Sequence, residues 1–248
     1  MPETRHLIGF HAVTAALRAQ PSSVRAIYIA TARNDRRMQQ LLARAEEARV
    51  AVHMVDPPRL TALAGSDRHQ GVVAIIESNT RVRTLGELLD GVREPALLLV
   101  LDGVTDPHNL GACLRNADAF GAHALIVPKD RAVGLTATVA KAASGAADTV
   151  PLLSVTNLAR SLRDMKERGI WIVGAEAAGG ESLFDVDLSG PVAWVLGAEG
   201  AGMRRLTREA CDRIVSIPML GAVASLNVSV AAGVCLFTTQ RQRLRADR

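Results

Sequence analysis

The sequence predicts an α/β protein whose larger part contains a mostly parallel sheet. One reason is that short apolar runs alternate with stretches of helical pattern along the chain. Another is that three polar, glycine-containing segments each follow an apolar run, so each would lie at a strand's carboxyl end, where open α/β sheets bind ligands. These segments cover residues 106–116, 196–203 and 217–229. Together they predict one composite site in the C-terminal half.

Residues 1–77 predict a small α/β domain. Its helices are expected near 11–20, over 35–49 and directly after Pro57 and Pro58, because proline suits a first helical turn. Its strands are expected over 24–30, 50–55 and 72–76.

Residues 78–94 are polar and lack a sustained apolar face, which is typical of a linker with room for one short helix. Residues 95–248 predict the larger domain, in which strands separated by helices form the mostly parallel sheet. Its strands are expected over 96–101, 124–127, 170–173, 192–196 and 214–217. Among its helices, one is expected over 110–120, and an apolar helix over 226–243 ends the domain before a charged tail.

The composition favours a polyanionic partner. Of 248 residues, 48% are hydrophobic and 22% charged, an ordinary globular balance, while the net charge of +4 is basic. The basic side chains are nearly all arginine, which makes forked contacts with phosphate. Aromatic residues are only 3%, which argues against nucleic-acid recognition by base stacking.

The cysteines, histidines and hydropathy exclude several classes of protein. Three widely spaced cysteines without a CxxC pair predict reduced core thiols in a cytoplasmic protein. The six histidines form no metal-ligand motif, so no metal site is predicted. No apolar stretch approaches the roughly 20 residues that span a bilayer, and no signal sequence precedes the first domain. We therefore expect a soluble protein.

The first polar segment predicts the start of a helix and an arginine side chain that could reach back to that start. Asp106 and Pro107 form a turn, and Asn109 is a suitable N-cap for a helix beginning at Leu110. Arg115 lies six residues further on, so its long side chain could reach back toward the same mouth. The alternative interpretation is a capped helix with one surface arginine.

The second and third segments predict a ligand-binding surface formed largely by exposed backbone. Glycines at 197, 200 and 202 leave backbone that can approach a ligand closely, but neither a Walker loop nor a dinucleotide fingerprint is present. Glu199 could equally be a charge favoured at a helix N-terminus. In the third segment, Ser225 or Asn227 is expected to cap the final helix.

Taken together, these segments resemble a known family. Residues 109–116, 196–200, 217–219 and 225–229 look like the three motifs of the SpoU-type 2′-O-ribose RNA methyltransferases. Residues 9–13 and 69–73 resemble the small substrate-binding domain of the members that methylate a guanosine ribose in 23S rRNA. The resemblance implies a SPOUT-type catalytic domain with a C-terminal trefoil knot, an N-terminal domain of L30e-like fold, and a homodimer with its sites at the subunit interface.

The resemblance also implies S-adenosylmethionine as cofactor and assigns roles to residues of the three motifs. The residues that would hold or line the cofactor are Gly197, Gly200, Ile217, Met219 and Leu226. Arg115 would be the central catalytic residue, either as the base for the 2′-hydroxyl or as the group that fixes the target phosphate. A guanidinium stays protonated in proteins, so we favour the phosphate clamp, which would also stabilise developing alkoxide charge.

The remaining implied roles concern the polar side chains and the RNA. Asn109 would position the ribose or Arg115, and Glu199 would hold Arg115 or Asn109. Ser225 and Asn227 would complete a hydrogen-bonding wall. RNA contacts are expected from residues of both domains, namely His11, Arg68, His69 and Arg115.

The implied substrate is a guanosine in the peptidyl-transferase region of 23S rRNA. The alternatives are methylation of another rRNA or tRNA ribose, or a noncatalytic RNA-binding ribosome-assembly factor of the same fold. An ordinary nucleotide-binding α/β enzyme is disfavoured because its phosphate fingerprint is missing.

Overall fold

The structure is a computed structural model that describes residues 4–19, 21–31, 35–67, 69–77, 84–130, 132–177 and 179–246. The chain divides into two compact units, Met1–Arg81 and Val82–Arg248, and each is described by itself.

The first unit is a four-stranded sheet covered by three helices. Its strands are β1 (Thr4–Ile8), β2 (Val24–Ala30), β3 (Ala51–Val55) and β4 (Val72–Glu77), and its helices are α1 (Phe10–Ala19), α2 (Arg36–Glu47) and α3 (Pro57–Ala64). The sheet order is β1-β4-β2-β3. Strand β4 runs antiparallel to both neighbours, whereas β2 and β3 are parallel.

Successive side chains of β2 point to opposite faces of the sheet, so they pack into two hydrophobic cores. Ile27 and Ile29 are fully buried in the cluster beneath α1 and α2, while Ala30 packs with Leu60 of α3 and with Val73 on the other face. Helix α3 begins at Pro57, as predicted, since its N-cap Asp56 accepts a hydrogen bond from a backbone N–H in the first turn.

The second unit contains a seven-stranded sheet. Its strands are β5 (Leu97–Asp102), β6 (Ala124–Pro128), β7 (Leu152–Val155), β8 (Trp171–Glu176), β9 (Glu181–Ser182), β10 (Val192–Gly197) and β11 (Arg213–Ser216). Its helices are α4 (Leu85–Gly91), α5 (Pro107–Ala119), α6 (Ala137–Ala143), α7 (Leu158–Glu167), α8 (Arg205–Glu209) and α9 (Val228–Ala246). The strand order is β7-β6-β5-β10-β8-β11-β9, and every neighbouring pair is parallel.

Burial on both faces explains why the central strands are continuously apolar. All six residues of β5 are buried. Leu99 and Leu101 point into a core that includes residues of α5 and α9, while Leu98 and Val100 point into a core that includes residues of α4 and α7. An all-parallel sheet needs helices on both faces, and this unit provides them. The prediction of an α/β fold with a mostly parallel sheet is confirmed.

Helix α5 begins earlier than the sequence suggested. Asn109 is not its N-cap: the helix starts at Pro107, and the carboxylate of Asp106 accepts a hydrogen bond from the His108 N–H at 3.0 Å. Proline is well suited to the first helical position because its missing N–H would have no intrahelical partner there. Asn109 therefore lies within the first turn, with its side chain available for other contacts.

Three short strands were not predicted: β1, β7 and β9. Strand β9 has two residues, and β7 has four residues of which only one is fully buried, so neither leaves a clear apolar pattern. In the described part of the chain, none of the helices has an apolar stretch long enough to span a bilayer. Nor do the described residues include a cluster of three or more metal-ligating side chains.

The three cysteines are free and shielded from solvent to different degrees. Cys113 and Cys235 are fully buried in the second unit, and Cys211 is partly buried with its thiol directed to the Thr207 carbonyl. Burial raises the pKa of each thiol to about 12. Because the thiolate is the nucleophile, only roughly one thiol in ten thousand would be ionised at pH 8.

We therefore expect the folded protein to resist iodoacetamide at pH 8, whereas all three cysteines should react once urea unfolds the chain. Mass spectrometry of the alkylated peptides measures this. Rapid labelling of Cys113 or Cys235 in the folded state would contradict their burial.

Candidate active site

The three polar segments meet at the carboxyl ends of strands β5, β10 and β11. The side-chain amide of Asn227 donates to Asn109 Oδ1 at 2.9 Å and to Glu199 Oε1 at 2.6 Å. Each of these residues comes from a different segment, and more than a hundred positions separate Asn109 from Asn227. We call this three-residue contact the junction. The junction joins the three polar segments that were predicted to form one composite site.

Asn227 also begins the last helix. Its Oδ1 accepts hydrogen bonds from the backbone N–H of Ser229 at 2.9 Å and from the Ser229 hydroxyl at 2.6 Å, so Asn227, not Ser225, takes the N-cap position of α9. Glu199 Oε1 accepts from the Val228 N–H at 3.4 Å, which places a carboxylate at the positive end of this helix. The capping interpretation and the composite-site interpretation of Asn227 therefore both apply.

A cavity of about 660 Å³ opens beside the junction, at the carboxyl ends of β8 and β10. Its walls come from the second and third segments and from the end of β8. The five residues predicted to hold the cofactor all line it: Gly197, Gly200, Ile217, Met219 and Leu226. Ser225, Glu199 and Asn227 line it too. Arg115 and Asn109 are not among its lining residues.

One wall of the cavity is bare backbone. After β10, Ala198 and Gly202 exchange two backbone hydrogen bonds of 3.2 and 2.8 Å, which close a tight turn. Gly200 and Gly202 have φ values of 76° and 68°, a region that favours glycine. A Cβ on Gly197 would collide with the backbone of Gly202 and Met203. The turn therefore requires glycine where it faces the cavity.

An ion pair between a buried carboxylate and an exposed arginine ties this turn to the central strand. The side chain of Asp102, fully buried at the end of β5, accepts from the Arg204 N–H at 2.8 Å and from Arg204 Nε at 2.6 Å. This pair was not predicted from the sequence. The available signal was a carboxylate at the end of an apolar run, since a buried acid needs a partner.

Arg115 is exposed on α5 and forms no hydrogen bond or ion pair with any residue in the described part of the chain. Glu199 contacts Asn227 and the start of α9 instead of Arg115. The next residue, Asn116, donates to the Ser229 carbonyl at 2.6 Å and so joins α5 to α9. The guanidinium is thus held on a fixed helix with all its donors free.

The remaining predicted RNA contacts belong to the first unit. Both ring nitrogens of His69 are used internally: Nδ1 accepts from the Gly71 N–H at 3.0 Å, and Nε2 lies 3.1 Å from the Thr61 hydroxyl. Gln70 and Gly71 follow with φ values of 51° and 79°. His69 therefore fixes the turn before β4. Arg68 lies outside the described residues, and His11 lies in α1 with a side chain that is not described.

The fold and the cavity define an α/β protein that binds a small ligand on a glycine-rich turn at the carboxyl ends of parallel strands. Residues 96–237 match the model of the SpoU rRNA Methylase family. Residues 6–82 match the model described as RNA 2'-O ribose methyltransferase substrate binding. The chain belongs to the SpoU rRNA methylase family, and the predicted resemblance is confirmed.

Relatives and solved structures agree with this membership. Proteins named 23S rRNA (guanosine-2'-O-)-methyltransferase RlmB from Ralstonia nicotianae and Nitrosomonas europaea are 60% and 58% identical; each match covers 98% of this chain, and 98% and 93% of the relatives. The SpoU methyltransferase AviRb from Streptomyces viridochromogenes, solved with the cofactor AdoMet, is 28% identical with a TM-score of 0.66, covering 98% of this chain and 91% of that one.

We expect Gly197→Ala to lower the free energy of unfolding by about 1–3 kcal/mol, because the methyl group would force the backbone of the turn apart. Urea unfolding followed by circular dichroism measures this. Gly221→Ala is the matched control, since nothing lies within 4 Å of a Cβ at that position. Equal stability of the two variants would show that the turn is not closed as described.

Proposed function

We propose that this protein transfers a methyl group from S-adenosylmethionine to the ribose 2′-hydroxyl of a guanosine in 23S rRNA, in the peptidyl-transferase region. The observation that carries the proposal is the junction, which places the polar side chains of three distant segments beside one ligand cavity. The names of relatives about 60% identical over nearly the whole chain support the reaction and the substrate.

The cavity suits the cofactor. Its volume of about 660 Å³ lies within the range of small-molecule sites. Main-chain groups of Gly197, Ile217 and Leu226 can hold the adenine, while Gly200 and Met219 line the pocket around it. When bound, S-adenosylmethionine supplies an electrophilic methyl group on a sulfonium. Family members solved with AdoMet support the same assignment.

Arg115 is proposed to hold the RNA. Its guanidinium is exposed and unpaired among the described residues, so it can bind the target phosphate through two donors. The same positive charge stabilises the oxygen as it becomes an alkoxide. Since a guanidinium does not give up a proton in proteins, the hydroxyl proton leaves to a phosphate oxygen or to water.

Asn109 and Glu199 are proposed to set the geometry around that oxygen. Asn109 Oδ1 accepts from Asn227, which turns the amide N–H groups of Asn109 toward other acceptors such as a ribose oxygen. Glu199 holds Asn227, and through it Asn109. Ser225, which lines the cavity without a hydrogen bond among the described residues, completes the polar wall.

The proposed domains differ from the two compact units over residues 78–94, where α4 packs into the core of the second unit. We propose that residues 1–77 form an RNA-binding domain of L30e-like fold, that 78–94 link it, and that 95–248 catalyse the reaction in the cytoplasm. The substrate-binding family match over residues 6–82 supports the first role. The turn fixed by His69 would present its backbone to the RNA, and Arg68 remains a proposed RNA contact outside the described residues.

The C-terminal trefoil knot is likewise proposed. Strand β11 lies beyond β8, on the far side from β5, yet α9 packs against α5 and β10. The chain between β11 and α9 therefore returns past the glycine turn, and both line the cavity. A return of this kind is what a knotted cofactor site requires.

A homodimer is proposed through α9. Val230, Phe237 and Leu244 are seven residues apart, so they share one face of the helix, and they are 51%, 54% and 65% exposed. A stripe of three large, exposed apolar side chains along α9 is suited to a second copy of the chain.

The substrate is tested by ribose-methylation mapping of cellular RNA with and without the gene. We expect one 23S rRNA guanosine to lose its 2′-O-methyl group. The A. aeolicus TrmH/SpoU tRNA modifying enzyme aligns with only 68% of this chain. A tRNA enzyme that matches so much less of the chain argues that the additional first unit serves an rRNA substrate. A change confined to tRNA would overturn the rRNA assignment, and unchanged methylation in both RNAs would favour a noncatalytic assembly factor.

We expect Arg115→Ala to reduce methyl transfer at least about a hundredfold while S-adenosylmethionine binding stays within about twofold, because Arg115 lies outside the cavity lining. Tritium transfer to the RNA and calorimetric cofactor binding measure the two quantities. Arg163→Ala removes another exposed arginine, from α7, that has no ion pair within the described part of the chain, and should leave both unchanged. Substantial activity of Arg115→Ala would remove it from the mechanism.

We expect the double substitution Val230→Glu with Leu244→Glu to produce a monomer at micromolar concentration, because burying two carboxylates in an apolar interface is costly. Light scattering after size-exclusion chromatography measures the mass. Leu135→Glu, at a leucine that is 54% exposed away from α9, is the control. A double variant that remained dimeric would place the interface elsewhere.

A further inference from the structure

One lining residue of the cavity has no role in the mechanism above. Glu176 is the last residue of β8, the strand that lies between β10 and β11. In the sheet it pairs with Ser216 of β11, and the residue before it pairs with Leu196, next to the glycine turn. Glu176 thus stands between the two segments proposed to hold the cofactor.

Its carboxylate is held in place. Arg208 Nε lies 3.1 and 3.2 Å from the two carboxylate oxygens, and the Glu176 side chain is 21% exposed while that of Arg208 is 55% exposed. An ionised carboxylate has about four acceptor sites, so this contact, shared by the two oxygens, leaves about half of them free. The other acid of the cavity, Glu199, already accepts from Asn227 and Val228.

We propose that Glu176 accepts hydrogen bonds from the ribose hydroxyls of S-adenosylmethionine and that Arg208 is its positioning residue. This inference rests on the proposed function. An acidic side chain at the carboxyl end of a strand neighbouring a glycine-rich turn is a suitable acceptor for a ribose diol in α/β proteins. Because Arg208 already compensates the charge of Glu176, neutral hydroxyl donors suit the carboxylate better than a second cation does.

Three ligands separate a contact with the nucleoside from a contact with the sulfonium or with the amino acid. S-adenosylmethionine and S-adenosylhomocysteine contain the ribose and the amino acid, but only the first carries the sulfonium charge. 5′-Methylthioadenosine keeps the ribose and adenine and lacks the amino acid. We expect Glu176→Ala to weaken binding of all three by a similar factor of about tenfold or more, measured by calorimetry, since a hydrogen bond to a charged group is lost.

Other patterns overturn the assignment. Weakened binding of the first two ligands with unchanged 5′-methylthioadenosine would indicate the cofactor's amino group, and a loss confined to S-adenosylmethionine would indicate the sulfonium. Unchanged affinity for all three would leave Glu176 as a structural ion pair only. If the unsubstituted protein bound none of the ligands, the proposed function itself would fail, so the two failures are distinguishable.

The chain offers a matched control and a test of positioning. Glu181→Ala removes another ion-paired glutamate. Glu181 lies on β9, pairs with Arg213 of β11 at 3.2 Å and does not line the cavity, so the affinities of this variant should match those of the unsubstituted protein. If Arg208 acts through Glu176, the double variant Glu176→Ala with Arg208→Ala should bind as weakly as Glu176→Ala alone. Additive losses would contradict that role. Thermal unfolding of each variant checks that it is folded.

Discussion

The active site depends on one amide group, the side chain of Asn227. It joins the start of α5 to the glycine turn after β10, and its oxygen simultaneously begins α9. These elements are far apart in sequence, and no backbone hydrogen bond of the sheet connects the three of them directly. Removing the amide would leave Glu199 and Asn109 without the donor that orients them, while α9 would lose its cap. Helix packing and site geometry therefore rest on the same atoms.

The charges of the site are divided by function. Two acids of the site have partners within the protein. Glu199 accepts a hydrogen bond from Asn227, and Asp102 forms an ion pair with Arg204. Arg115 has no such partner among the described residues. The exposed guanidinium of Arg115 therefore offers a positive charge to an incoming phosphate, in keeping with an RNA substrate.

Much of this arrangement could be predicted from the sequence, for physical reasons. Continuous apolar runs such as β5 can only be buried on both faces, and glycines such as Gly197 leave the backbone open to a ligand, so the parallel sheet and a site at the glycine turn followed from local pattern. The residues predicted to hold the cofactor were instead implied by the family resemblance. The start of α5 did not, because Asp106 and Asn109 are both good caps and only the position of Pro107 distinguishes them. The partners of Asp102 and Glu176 could not be predicted, since Arg204 and Arg208 meet them only through the folded sheet. Sequence spacing carries no record of such contacts.

The ion pair between Asp102 and Arg204 has a consequence for how the ligand is received. A glycine-rich turn would ordinarily lose much conformational entropy when a ligand orders it. Here the two hydrogen bonds across the turn close one end, and a carboxylate anchored in the central strand fixes the residues that follow. The turn is therefore rigid before anything binds. Little of the binding free energy is therefore lost in ordering this turn. The ligand should bind to a preformed site and not fold the turn around itself.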